Sequence, residues 1–425
     1  MESLTSIAYR KDRMKSLTDF AIHRRAQKCI AQTYLTNSKR PESLVKGVYP
    51  THLKKGRGCY VWDHAGKKYM DFITGLGTNL LGYANETVNS AVISALGDGN
   101  LFSLGSEHEV LTAEKLKELF QFVDCFKFLK SGSEACSAAI RIARAHTNRD
   151  VILSEGYHGW HDEFVSLSSP AIGVPAVHRS IDWKTSYRLD KYEWPEEYGW
   201  SKVAAVIIEP IITDLSPARI EWLKELREKC TNNGVLLIFD EIITGFRFPK
   251  FSVAAYTGIT PDLICLGKAM ANGFPLAAVG GKFNVMNGQE YFVSSTYAGC
   301  IDALVACRKV CELLQKSYNL GDLWEKGGDF MKAFNGIWPE KITIEGYPTR
   351  GIFKGDMDVR NLLMQEACFA GILLGPSPWF NFPLAKESFG VIDTLRDIIH
   401  NIQKGSVSLV GDAPQSPFAQ RVRES

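Results

Sequence analysis

The chain has 425 residues, of which 45% are hydrophobic and 23% charged, a globular composition with room for a large core and more than one domain. Its 49 Lys and Arg nearly cancel its 47 Asp and Glu, so no global positive field argues for nucleic acid or an anionic membrane, and a small-molecule partner is expected. The ten cysteines form no C-x-x-C pair and no Cys/His cluster at zinc spacing, the pattern of reduced thiols. The start MESLTSIAYRKDRMK lacks an apolar h-region and no run reaches about 18 apolar residues, so neither a signal peptide nor a membrane span is expected and the chain reads as cytoplasmic.

In chain order, "LTDFAIHRRAQKCIAQTYL" has helical spacing within a polar N-terminal arm. "CYVWD" and "KYMDF", joined through Ala65 and Gly66, predict a β-hairpin. Helices are predicted at "TVNSAVISALGDG", "HEVLTAEKLKELF", "EACSAAIRIARAHT" and "ARIEWLKELREKCTNNG", and short apolar strands at "CFKFLK", "DVILSE", "VAAVIIEP", "VLLIFDE" and "DLICLGK". Continuous oily strands between helices imply a largely parallel sheet covered on both faces, hence an α/β fold. After about residue 325, "KITIEGYPTRGIFKG" and a helix around "VRNLLMQEACFAG" suggest a smaller α+β domain, ending in a loose tail, "GDAPQSPFAQRVRES". The expected division is 1–70 as arm and part of the small domain, 71–325 as the large domain, and 326–425 as the small domain's remainder.

Open α/β sheets bind ligands at the carboxyl ends of their strands, so the residues just beyond each strand matter most. Ser131, Gly132 and Ser133 open a helix, where backbone N–H groups and the helix dipole suit a phosphate; the same residues also read as a plain N-cap. Tyr157 has a face suited to stacking on a flat ligand, or to packing. Asp240 ends the oily run LLIF, where a carboxylate needs a positive partner. Lys268 comes after a glycine at another strand end; such a lysine either reaches the surface or serves as a nucleophilic amine that forms a Schiff base. One ligand needs all four pieces. Pyridoxal 5'-phosphate (PLP) takes a phosphate cradle, a ring stack, an acid at its pyridine nitrogen and a lysine at its aldehyde.

The order SGSEA, GYHG, IIEP, FDEIITGFR and GKAMANGFP resembles the class III PLP-dependent aminotransferases of fold type I, nearest to the glutamate-1-semialdehyde 2,1-aminomutase branch, over roughly residues 45 to 400. The resemblance implies that Lys268 is the Schiff-base lysine and proton shuttle, that Asp240 pairs with the pyridine nitrogen and that Ile242 lies beneath the ring. It implies that Gly132 and Ser133 bind phosphate, with Ser131 before them, and that Tyr157 stacks on the ring with His158 beside it. Glu209 is implied on the substrate side, and Thr296 as a residue given to the phosphate site of a neighbouring subunit in a homodimer. Glu241 and Arg247 read as loop braces. His158, His161 and Asp162 invite a metal reading, which three potential ligands support poorly, and no metal is expected.

The chain departs from the aminomutase branch in two places. Thr74-Gly75-Leu76-Gly77-Thr78 replaces Gly-Ser-Trp-Gly-Pro, and Phe380 or Asn381 stands where that branch has a glutamate. Cofactor residues are kept and substrate residues changed, which implies a changed substrate. The expected activity is transfer of an amino group from an amino donor to a keto or aldehyde acceptor through a pyridoxamine intermediate. Trp379, Phe380 and Phe382 suggest either an apolar pocket wall or core packing. Intramolecular amino transfer by an aminomutase, an isomerase on the same cofactor, and a non-enzymatic scaffold are the alternatives.

Overall fold

The computed structural model describes residues 20–165, 172–174, 199–376, 379–383 and 386–416. The chain forms two compact units: Glu86–Trp324, and the described residues up to Asn85 together with those from Glu325 onward.

The first unit of the chain to appear in sequence carries helix α1 (Phe20–Cys29) and strands β1 (Leu53–Arg57), β2 (Tyr60–Asp63) and β3 (Lys68–Asp71). β2 and β3 pair antiparallel with Tyr60 opposite Met70, and Gly66 takes φ 88° in the turn between them, as the hairpin reading requires. β1 is invisible in the sequence because LKKGR has almost nothing to bury; it is the exposed edge of its sheet, paired with β2 alone.

The middle unit is built on α2 (Glu86–Leu96), α3 (Glu107–Leu119), β4 (Cys125–Leu129), α4 (Gly132–Thr147), β5 (Val151–Glu155), β6 (Val203–Ile208), α5 (Pro217–Asn233), β7 (Leu236–Asp240), β8 (Leu263–Leu266), β9 (Ala277–Gly281) and α6 (Ile301–Lys316). Its six strands lie in the order β4-β9-β8-β7-β6-β5, and β5 to β8 run parallel. Every residue of β6, β7 and β8 is buried, which explains their unbroken apolar runs. The core beneath is filled from α4 by Ala135, Ala139, Ile142 and Ala143 against Ile207, Ile238 and Cys265.

β9 is an antiparallel strand that periodicity did not predict, since Ala277–Gly281 has weak strand propensity. Tertiary packing demands its small residues. A Cβ at Gly280 would lie 2.5 Å from Phe126 Cε1, and one at Gly281 2.6 Å from Leu263 Cδ2.

The C-terminal part adds β10 (Ile342–Tyr347), β11 (Arg350–Gly355), α7 (Met357–Phe369), β12 (Ile372–Leu373), β13 (Trp379–Asn381) and α8 (Val391–Gln403). β12 joins β3 in parallel, with Ile372 opposite Met70, which completes a sheet in the order β1-β2-β3-β12. Segments about 300 residues apart thereby share one core of Val45, Val48, Val61, Tyr69, Met364 and Cys368. The tail is docked over its described part: Lys46 bridges Asp412, and Gln365, fully buried, accepts the N–H of Val410 at 2.7 Å and donates to Ser408 O at 2.9 Å. Turn formers there hide a segment held by backbone groups rather than by apolar side chains.

Gly280→Ala should therefore destabilise the middle unit by about 1–3 kcal/mol, through overpacking against Phe126 and Val123. A urea midpoint equal to that of the unaltered chain would mean that Phe126 swings clear at no cost.

Candidate active site

The register of the parallel strands brings the motif residues to one edge of the middle unit's sheet. Glu155 opposes Ile208, Ile208 opposes Phe239, and Asp240 opposes Cys265. Glu209 and Asp240 thus leave neighbouring strands at the same level, and Lys268 comes three residues after Cys265.

Asp240 is 4% exposed and has a positive partner within the chain. Its Oδ2 lies 2.8 Å from His158 Nδ1, accepts the Cys136 thiol at 3.3 Å, and its Oδ1 accepts Ile242 N–H at 3.1 Å. Burial works to lower the His158 pKa, but the hydrogen bond and charge of Asp240, helped by Cys136, outweigh it and hold the ring at about 10. That direction favours the charged form of the ring beside Asp240. The sequence placed His158 beside a stacking tyrosine; the fold carries the loop after β5 across the end of β6 to reach β7.

Glycines make that crossing possible. Gly156 (φ 108°) presses on Glu209, whose Oε1 would be 2.7 Å from any Cβ there, and Glu209 Oε1 accepts Tyr157 N–H at 2.8 Å. Arg219 holds the same corner, donating to Pro210 O at 2.9 Å and pairing with Glu155 at 3.2 Å. Gly159 (φ 111°) lies on Ser133, with Oγ 2.3 Å from a hypothetical Cβ, and Trp160 N–H donates to Ser133 Oγ at 3.3 Å.

The turn that opens α4 is a helix cap. Ser131 Oγ accepts Glu134 N–H at 3.2 Å while Glu134 Oε2 accepts Ser131 N–H at 2.8 Å, a reciprocal capping box. Gly132 abuts Ile242, whose Cγ2 would be 3.0 Å from an added Cβ, and Gly267 abuts the same side chain at 3.0 Å. Ile242, 8% exposed, thus ties the turn before α4 to the segment that carries Lys268. Lys268 is partly buried and adopts φ 42°, a left-handed conformation costly for a side chain of that size and common at functional sites. Tyr157 is half exposed, and Thr296 is exposed in the loop before α6.

The remaining sequence candidates serve other ends. Glu241, fully buried, accepts the N–H groups of Val253 and Ala254 at 2.8 and 3.0 Å and the Thr244 hydroxyl at 3.0 Å, so it braces its loop by capping the helix Val253–Thr257. His161 pairs with Ser137 Oγ at 2.7 Å, away from His158's partner. Among the described residues, the group of metal-type donors is Cys136, His158 and Asp240 instead. Cys136 was missed as a site residue, although helical spacing from the buried Ala139 and Ala143 turns its face inward.

Within the other unit, Phe380 and Phe382 are core residues, their rings 5.0 Å apart and packed with Phe72 and Phe330. Asn381 is the buried polar neighbour; its Nδ2 donates to Ile73 O at 3.4 Å. Asn381 is thus bonded to the residue just before the Thr74–Thr78 segment.

The donor set fits PLP: glycines where a Cβ would crowd the turn, a buried acid paired with a histidine, and a lysine at the adjacent strand end. A parallel α/β sheet with this edge defines a PLP-dependent enzyme of fold type I. The model of the aminotransferase class-III family matches residues 44–355, and the chain belongs to that family. It is 35% identical to a glutamate-1-semialdehyde 2,1-aminomutase of Syntrophobacter fumaroxidans, over 70% of this chain and 73% of that one. It is 34% identical to a 3-aminobutyryl-CoA aminotransferase of Cloacimonas acidaminovorans, over 69% and 72%. The FumI protein of Sphingopyxis sp. MTA144, solved in a PLP form, superposes with a TM-score of 0.82 at 21% identity, covering 92% of this chain and 98% of that one.

His158 has a pH signature. A histidine raised from 6.5 to about 10 on folding contributes stability that is complete below pH 6.5 and lost as pH climbs through 10. The gap in unfolding free energy between the unaltered chain and His158→Gln should accordingly shrink from pH 6.5 to 10 in urea titrations. A gap constant over that range would mean that the ring is neutral.

Proposed function

We propose that this class III enzyme is a transaminase working on two separate small molecules, an amino donor and a keto or aldehyde acceptor, with Lys268 and Asp240 as its central pair. The observation that carries the assignment is the strand register: a buried, charge-paired carboxylate ends β7 while a partly buried lysine lies just past the neighbouring β8.

Bound PLP supplies an electron sink for bond breaking at the substrate carbon and a carrier for the amino group. Lys268 would hold the cofactor's aldehyde, and its Nζ would take and return the proton at the substrate's amine-bearing carbon. Asp240 would keep the pyridine nitrogen protonated, with His158 fixing the carboxylate. Ser131, Gly132 and Ser133 would hold phosphate at the positive end of α4, Ile242 would floor the ring and Tyr157 would cover it. Glu209 would set the Tyr157 loop from the substrate side.

A homodimer in which Thr296 completes the partner's phosphate site accords with the family resemblance, and the exposed loop bearing Thr296, Phe292 and Tyr297 supports it. A cytoplasmic setting agrees with ten free cysteines. No described helix is long and apolar enough to cross a membrane.

Aminomutase action is the second reading, favoured by the identity to the Syntrophobacter enzyme. Against it stand Phe380, locked in a core, and neutral Asn381, at the positions that answer to the branch's glutamate. The deciding experiment supplies the PLP-loaded chain with a panel of single amines. A transaminase stalls after one turnover, with the visible absorbance of bound PLP bleached, until a carbonyl acceptor restores it; sustained conversion of one compound without an acceptor would favour the mutase.

Lys268→Ala should lower the rate by at least about a thousandfold, as expected when a nucleophile that also moves the proton is removed. Turnover within tenfold of the unaltered enzyme would sink the assignment.

A further inference from the structure

One side chain in the buried cluster has no task in the motifs or in the proposed chemistry. Cys136 lies in the first turns of α4, 1% exposed, and its thiol donates to Asp240 Oδ2, the oxygen that also meets His158 Nδ1. The other oxygen, Oδ1, receives one donor among the described residues, Ile242 N–H. Each carboxylate oxygen offers two lone-pair positions. Oδ2 thus carries two donors and Oδ1 one, with room for a second.

We propose that Cys136 is a positioning residue for cofactor binding: together with His158 it saturates Oδ2 of Asp240 and so reserves the open position on Oδ1 for the pyridine nitrogen of PLP. The inference rests on the assignment of Asp240 to that nitrogen and adds the residue that orients it.

The thiol is suited to the task because it stays a thiol. Burial above all, with the charge of Asp240, pushes its pKa well above the ordinary range, so it remains a donor at any working pH. The titratable groups around it are Asp240, His158 and Cys265, and Cys265 backs it from β8, where it sits opposite Asp240. A donor on a carboxylate stabilises its charged form. Removing the thiol leaves Oδ2 one donor short and the carboxylate freer to turn.

The test titrates the full-length, PLP-free chain with PLP and tracks visible absorbance, with no amine substrate present, so that the identity of the donor or acceptor does not enter. Cys136→Val keeps the bulk without the donor, and Cys136→Ser keeps a donor. The valine chain should bind PLP about five- to tenfold more weakly and shift the pH midpoint of the bound cofactor's absorbance by at least about half a unit, with the serine chain within about twofold of the unaltered protein. Unfolding temperatures of the PLP-free chains check folding, and Cys136→Ala substitutes for valine if the larger side chain does not fit. Equal affinity and midpoint in all variants, or a serine chain as impaired as the valine chain, would overturn the proposal in favour of packing alone. Asp240→Asn separates the two levels: unaltered PLP affinity in that chain removes the assignment of Asp240 itself, and Cys136 loses its role with it.

Discussion

A carboxylate at the end of a fully buried strand must be neutralised, and much of the middle unit is a consequence of that requirement. Asp240 ends the buried run LLIF with only 4% of its surface exposed, and the cost of an unpaired charge there is several kcal/mol. The partner is His158, from a loop two strands away, and the loop reaches it only because Gly156 and Gly159 accept left-handed backbone hard against Glu209 and Ser133. Sheet order, loop path and glycine placement are thereby coupled to one ion pair.

The same pair bears on the proposed chemistry. In the proposed chemistry, His158 would hold the Asp240 carboxyl in place for the pyridine nitrogen of PLP. The neighbouring strand ends supply the other parts at fixed level: Glu209 after β6 and Lys268 after β8. Rigid strands set the positions, and the short segments beyond them supply the unusual backbone, including φ 42° at Lys268.

The other unit shows a different use of sequence change. Phe380 and Phe382 read from sequence as either pocket wall or core, and their edge-to-face packing with Phe72 and Phe330 makes them core. The polar residue between them, Asn381, is clamped on Ile73, beside the Thr74-Gly75-Leu76-Gly77-Thr78 turn. Two departures far apart along the chain are neighbours in the fold.

The residue pattern alone determined the α/β class, the parallel strands from Val151 to Leu266, most helices, and the residues set at strand ends, because unbroken apolar runs, helical spacing and five ordered motifs are local or nearly local signals. It did not reveal β9, where glycine is required by Phe126 and Leu263 rather than by strand propensity, nor β1, which buries too little to leave a pattern. It raised the question of Asp240's positive partner and answered with the cofactor alone. The fold answered first with His158, 82 residues earlier, and added Cys136, 104 residues earlier. Only tertiary structure could decide this, since partners so far apart in sequence meet through strand order and loop path, and neither is written in the periodicity of any single segment.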